Sequence, residues 1–210
     1  MYPSHIAATL SGASLRQIQY WRETRVLTPE YGRVDGRMLY SFRDVVALRT
    51  FVKIREEHPL QFIRKAVANL EELGNVDHIA SLTLGLAPDG TIVWETEGDY
   101  VGLHKRGQLG IVAVMREVFE PFATAAGNRV VDLWRPRQHL SIDPEVLSGY
   151  PVIAGTRVEF DAVASLVDDG IVPQNIHKFY RSVSAAAAED ASKFQALVSG
   201  YRAGRTPSAA

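Results

Sequence analysis

Apolar residues run almost without interruption from His5 to Leu10, and Ser11-Gly12 then marks a tight turn. Between residues 14 and 24 the apolar positions thin to Leu15, Ile18 and Trp21, the i, i+3 spacing that gathers side chains on one side of a helix. Arg16, Gln17, Tyr20, Glu23 and Thr24 then face the other way. Ser14 stands where an N-cap belongs, accepting from the free amides of the first turn. The pattern predicts two short helices joined by a few residues, the second presenting Arg, Gln and Tyr outward. Trp21 lies on the apolar side and is expected to pack.

Past Pro29 the period changes. Asp35-Gly36 is a two-residue hairpin signal, with Val34 before it and Leu39 and Tyr40 after it supplying strand character. Arg33 and Arg37 bracket the turn. Ser41 then caps a third helix whose buried face is Val45, Leu48, Val52 and Phe51. Helix, turn, helix and a basic-tipped hairpin are the parts of a winged helix-turn-helix. In such a unit the second helix enters the major groove while the wing lies along the sugar-phosphate backbone.

Pro59-Leu60 opens one more helix, with Ile63, Ala66, Val67 and Leu70 as its seam and Leu73-Gly74 as its end. Residues 80–114 alternate apolar and polar around Pro88-Asp89-Gly90, predicting a hairpin and another strand or two. VAVMREVFEPFATA then reads as a helix running to Ala125-Gly127. From residue 139 the pattern gives a short strand, a turn at Gly149, the strand PVIAGT, and a helix from Phe160 that Asp169-Gly170 stops. Pro173 starts a further helix, and Ser184 caps a last one running towards Val198. The expected architecture is α+β and mainly helical. It divides into a winged helix over residues 1–73, a β-containing connecting region over 74–138, a three-helix, helix-turn-helix-like unit over 139–199, and a flexible tail over 200–210.

Composition narrows the function classes. The chain of 210 residues has no cysteine, which excludes disulfides and thiolate metal sites and fits a reducing cytoplasm. No apolar run approaches the roughly 18 residues of a membrane span, and the first residues do not form a secretory signal. The net charge of −1 hides an asymmetry. Residues 1–55 hold nine Lys/Arg against four Asp/Glu, residues 56–138 eight against twelve, and residues 139–210 six against eight. A basic first quarter on an acidic body points to a local polyanion contact. The six histidines are scattered, no phosphate-cradling glycine loop or Gly-x-Ser-x-Gly is present, and no cofactor or metal is expected. An enzyme would require Asp143, Asp168 and Asp169 to converge around a divalent ion.

SLRQIQYWRETRVLTP followed by DGRMLYSFRDVVAL resembles the winged-helix domain of MerR-type regulators over roughly residues 3–73. The resemblance implies that Arg16 and Tyr20 contact phosphates, that Gln17 lies near base edges, and that Arg37 and Tyr40 belong to the wing. The DNA-facing set is accordingly Arg16, Gln17, Gln19, Tyr20, Arg33, Arg37 and Tyr40. The chain departs from that family in having Gln19 where Arg is frequent, Arg22 where an acid is frequent, Arg25 where Gly is usual, and Met38 at a wing position commonly filled by Arg. The long coiled-coil helix and cysteine-bearing metal loop of that family are missing.

A second resemblance covers residues 139–197. Asp143, Pro144, Gly149, Pro151, Ile153, Gly155, Thr156 and Arg157 match the signature of a small uncharacterised domain found in bacterial antitoxins encoded beside PIN-like ribonuclease toxins. Thr156 and Arg157 are read as structural, with Arg157 tying down a tight strand-turn; a ligand pocket is the other reading. Joined to a MerR-like half, the chain resembles a VapB-type antitoxin. That implies a homodimer that binds operator DNA, represses its own operon and neutralises a PIN-like ribonuclease toxin by direct binding. Arg202 or Arg205 would enter the toxin's acidic, metal-binding site, where a guanidinium pairs with carboxylates. The alternative is a stand-alone MerR-like regulator whose middle region binds a small molecule.

Overall fold

The computed structural model describes residues 1–57, 61, 84–86, 92–96, 99–102, 118–124 and 126–204. The chain opens with strand β1 (Tyr2–Pro3), followed by helices α1 (Ser4–Ser11) and α2 (Leu15–Glu23). Strands β2 (Gly32–Val34) and β3 (Arg37–Tyr40) form the wing, and α3 (Phe42–Glu57) follows. The seam expected over residues 59–74 lies outside the described residues. So do the turn at Pro88-Asp89-Gly90 and Arg205.

Local signals account for the first elements. Ser14 caps α2, its hydroxyl accepting from the Gln17 backbone amide at 3.2 Å, and the Gln17 side-chain Oε1 accepts in return from the Ser14 amide at 2.8 Å. This reciprocal box satisfies two orphan donors. Ser41 and Asp44 repeat it at α3: the Asp44 amide donates to the Ser41 hydroxyl at 3.0 Å and the Ser41 amide to the Asp44 carboxylate at 2.7 Å. Asp35 (φ 46°) and Gly36 (φ 77°) both take the left-handed conformation of a two-residue hairpin turn, as their sequence predicts.

Helix α2 ends in a Schellman arrangement. The Val26 amide donates to the Trp21 carbonyl at 2.8 Å and the Arg25 amide to that of Arg22 at 3.1 Å. Arg25 sits at φ 55°, the left-handed region where a Cβ is strained. Glycine at this position is therefore expected to stabilise the chain by about 1 kcal/mol, read as a raised urea midpoint at unchanged slope.

One pairing had no local signal. Strand β1 adds to the wing, in register Tyr2↔Tyr40 and Pro3↔Leu39, so the sheet order is β1-β3-β2. Helix α1 is buried from Ile6 to Ser11 because it packs on α3 and also on the long last helix of the chain.

Strands β4 (Leu84–Leu86), β5 (Ile92–Thr96) and β6 (Asp99–Gly102) form an antiparallel sheet in that order. The helix expected to run to Ala125-Gly127 is corrected. Phe122–Ala123 is a strand, β7, pairing with β8 (Arg129–Val130). Pro121 is the reason, since it bars an intrahelical amide and pushes its predecessor away from helical dihedrals.

The remainder comprises β9 (Leu140–Ser141), β10 (Val152–Ile153) antiparallel to it, α4 (Phe160–Asp168) and α5 (Ala185–Arg202), and the helix expected from Pro173 is instead a 3₁₀ turn over Pro173–Lys178. Ser184 caps α5, accepting from Ala187 at 3.1 Å. The helix runs past the expected boundary at residue 199, because Tyr201 buries its ring in the core.

The core is continuous from one end of the chain to the other. Ile6, Trp21 and Phe51 belong to the same buried cluster as Leu140, Phe160 and Phe194. An aromatic chain crosses it, Tyr2 to Tyr150 at 6.5 Å, Tyr150 to Phe160 at 6.0 Å and Phe160 to Phe194 edge-on at 4.8 Å. The Tyr2 hydroxyl donates to the Gly149 carbonyl at 2.6 Å, and burial raises its pKa. The winged helix and the C-terminal unit thus share one buried core.

Candidate nucleic-acid interface

Helix α2 divides as its sequence predicts. Ile18 and Trp21 are buried, Trp21 edge-on to Phe51 of α3 at 5.8 Å, which fixes the rotation of the helix on the core. Arg16, Gln17, Gln19, Tyr20 and Glu23 are exposed. Gln17 and Gln19 are already engaged. The carbonyl end of Gln17 is held by the cap, and the Gln19 amide donates to the Glu23 carboxylate at 2.7 Å.

The wing carries its cations at the tip. Arg33 pairs with Met38 and Arg37 with Val34 across the hairpin, and both arginines are exposed. Cross-strand partners share a face, so Arg33 and Arg37 leave the ribbon on opposite faces. Such a tip can straddle a strand of negative charge. A wedge of this kind suits a phosphate backbone better than a flat sheet does.

Tyr40 is corrected. Its place in the wing predicts an outward side chain, but its ring is fully buried, because the residue lies opposite Tyr2 on the inner face of the wing. Its hydroxyl sits beside Arg22 and Ser4 outside hydrogen-bond geometry with either, and burial raises its pKa. Replacing Tyr40 with Phe should therefore leave DNA affinity unchanged and move stability by less than about 1 kcal/mol, checked by DNA titration and urea unfolding.

Five of the eight signature residues, Asp143, Pro144, Gly155, Thr156 and Arg157, help to line a cleft of about 870 Å³, with Trp134 and Arg135 beside them. Thr156 is structural: its hydroxyl donates to the Ile153 carbonyl at 2.9 Å and accepts from the Val158 amide at 3.0 Å. Arg157 is exposed at the cleft, so Thr156 rather than Arg157 ties down the turn. Among the described residues no three His, Asp or Glu side chains gather as a metal site would require, and Asp143, Asp168 and Asp169 do not converge as one. Arg202 is exposed on the last turn of α5, close enough to His5 of α1 for its charge, after burial, to lower that histidine's pKa.

The residue that sequence reading missed is Arg49. It is fully buried in α3, and its guanidinium donates to four backbone carbonyls: Leu10 at the end of α1, Val118, Glu120 at 2.8 Å and Val131 at 2.9 Å. It also lies over the Phe122 ring at 5.2 Å. Burial lowers its pKa to about 10, which still leaves it charged at neutral pH. No short-range pattern announces such a residue, because all four acceptors are remote in sequence. It joins the helix-turn-helix to the segment that carries β7 and β8.

Comparison with known proteins agrees with this geometry. Residues 2–68 match the model of the MerR HTH family regulatory proteins, and residues 140–194 match a family described as a protein of unknown function, DUF433. The chain therefore carries a MerR-type helix-turn-helix at its N-terminal end and a DUF433 unit towards its C-terminal end. It is 30% identical over 138 residues to an uncharacterized HTH-type transcriptional regulator of Mycobacterium bovis, and equally to two from strains of Mycobacterium tuberculosis. Those alignments cover 61% of this chain and 60% of each relative. No solved structure matches.

Proposed function

We propose that this chain, with its MerR-type helix-turn-helix, is a non-enzymatic, DNA-binding transcriptional regulator. The observation that carries the reading is the placement of Arg16, Gln17, Gln19 and Tyr20 on the exposed face of a helix whose other face is locked by Trp21, beside a wing tipped by Arg33 and Arg37. The helix would enter the major groove, with Arg16 on the backbone and the glutamines near base edges, while the wing arginines neutralise phosphates. A DNase footprint on the DNA upstream of its own coding sequence tests this; protection of two similar half-sites about one helical turn apart is expected for a homodimer. Unprotected DNA at low salt would refute it. Among the described residues no helix is long and apolar enough to cross a membrane, in keeping with a cytoplasmic regulator.

A finer reading gives the regulator a protein partner, a PIN-like ribonuclease toxin that it neutralises while repressing its own operon. The C-terminal unit's resemblance to antitoxin-associated domains supports it, as does the exposed guanidinium of Arg202 at the end of α5. Tyr201 is buried, so cutting the chain before it would unsettle the core. The clean test is Arg202→Ala, alongside truncation after Gly204, in a co-purification with the neighbouring gene product. Suppressed ribonuclease activity in the wild-type complex, lost in either variant, supports the toxin-binding role. Full suppression by both variants removes these arginines from it, and a chain that purifies alone removes the toxin.

A further inference from the structure

We infer that the β7–β8 hairpin is a second DNA-contacting ribbon, its exposed Arg129 joining Arg55 of α3 in holding the phosphate backbone. The inference rests on the DNA-binding reading above and extends it to residues outside the helix-turn-helix unit.

The hairpin is seated on the helix-turn-helix turn itself. Gly12, at φ +78°, ends α1, and any Cβ there would run into the Val130 side chain of β8, so the Gly12 backbone packs directly against that side chain. The Arg49 guanidinium holds the carbonyls of Val118, Glu120 and Val131 on one side and that of Leu10 on the other, so hairpin and turn are fixed as one piece. The tip of the hairpin then borders a groove of about 180 Å³ shared by Gln17 of α2, Val52 and Arg55 of α3, and Thr124, Ala126 and Asn128. The wing follows the other end of α2 in the chain, after residues 24–31.

The chemistry of this tip suits a phosphate. Ala126, Gly127 and Arg129 are exposed, Gly127 is at φ +77° with open space where a Cβ would project, and the described tip residues include no acid. Arg16 and Arg55 add exposed cations from the two neighbouring helices. Close approach of backbone and short side chains with arginines alongside is how protein ribbons hold nucleic-acid backbones without reading bases. Two more phosphates neutralised would steepen the salt dependence of binding, since each releases condensed counterions.

The test is fluorescence anisotropy of the full chain on a 30-bp duplex, roughly three helical turns, across a salt series, for wild type, Arg129→Ala, Arg55→Ala and Arg16→Ala. All three side chains are exposed, so the variants should fold. Arg129→Ala and Arg55→Ala are each expected to weaken binding several-fold and to flatten the slope of log affinity against log salt by roughly one unit. If they match wild type while Arg16→Ala is weakened, the hairpin contact is refuted and the recognition-helix reading stands. If Arg129→Ala binds more tightly, the hairpin obstructs DNA and the inference is equally overturned. If Arg16→Ala also matches wild type, the DNA-binding reading itself falls and takes the hairpin with it.

Discussion

Replacing Arg49 with Met is expected to cost about 3–5 kcal/mol, enough to leave much of the chain unfolded. The side chain is fully buried and satisfies four carbonyls from three separated stretches of chain. A charge-assisted hydrogen bond contributes roughly 1.5–3 kcal/mol, and a carbonyl stripped of its donor in the interior keeps its desolvation penalty. The desolvation cost of the guanidinium disappears with it, which is why the loss stays below the sum of four bonds. Arg49→Lys keeps the charge but concentrates its donors on one nitrogen, which cannot reach acceptors spread around a planar fork. It should recover only part of the loss. Urea unfolding followed by circular dichroism reads both variants, and a cost under about 1 kcal/mol for Arg49→Met would contradict this role.

The second large effect is expected at Gly12. Alanine there meets two penalties, left-handed strain of about 1–2 kcal/mol and overlap with Val130 of about 1–3 kcal/mol, for a total of about 2–5 kcal/mol. The two separate in a double variant. Adding Val130→Ala to Gly12→Ala removes the overlap and leaves the strain, so the double variant should be more stable than either effect added independently would give. Additive costs would mean that the hairpin does not rest on the turn. The same experiment bears on function, since a displaced β8 carries Arg129 with it.

How much of this was legible in the sequence depends on how local each signal was. Ser14, Ser41 and Ser184 announced their helices, and Asp35-Gly36 its turn, because caps and hairpin turns are set by residues within three or four positions. The split of α2 into a Trp21 face and an Arg16–Tyr20 face followed from period alone. Its Ser-x-x-Gln cap box was also there to be read from Ser14 and Gln17, and it bears on how Gln17 can reach a base. Pro121 likewise contained the information that a helix should not pass through Phe122. Other features had no local trace. Tyr40 looked like any wing residue until the two-residue strand at Tyr2 paired with it and turned it inward. Helix α1 reads as apolar on all sides only because α5, almost two hundred residues later, covers its second face. Arg49 is one arginine among several in α3, and what distinguishes it is the arrival of residues 118–131 around it.

The departure at Arg25 has the same character. The left-handed position was predictable from the family's glycine, yet this chain holds an arginine there and accepts the strain. None of the interactions described for this residue offsets it.

The measurement that tests the central claim most directly is the salt dependence of DNA binding for the wild type against the double variant Arg16→Ala, Arg37→Ala. Both residues are exposed and belong to separate elements, so the fold should survive their replacement. Binding weaker by about tenfold or more at moderate salt is expected, with a log–log slope flatter by roughly two units, one for each phosphate no longer neutralised. Unchanged affinity and an unchanged slope would mean that α2 and the wing do not face DNA.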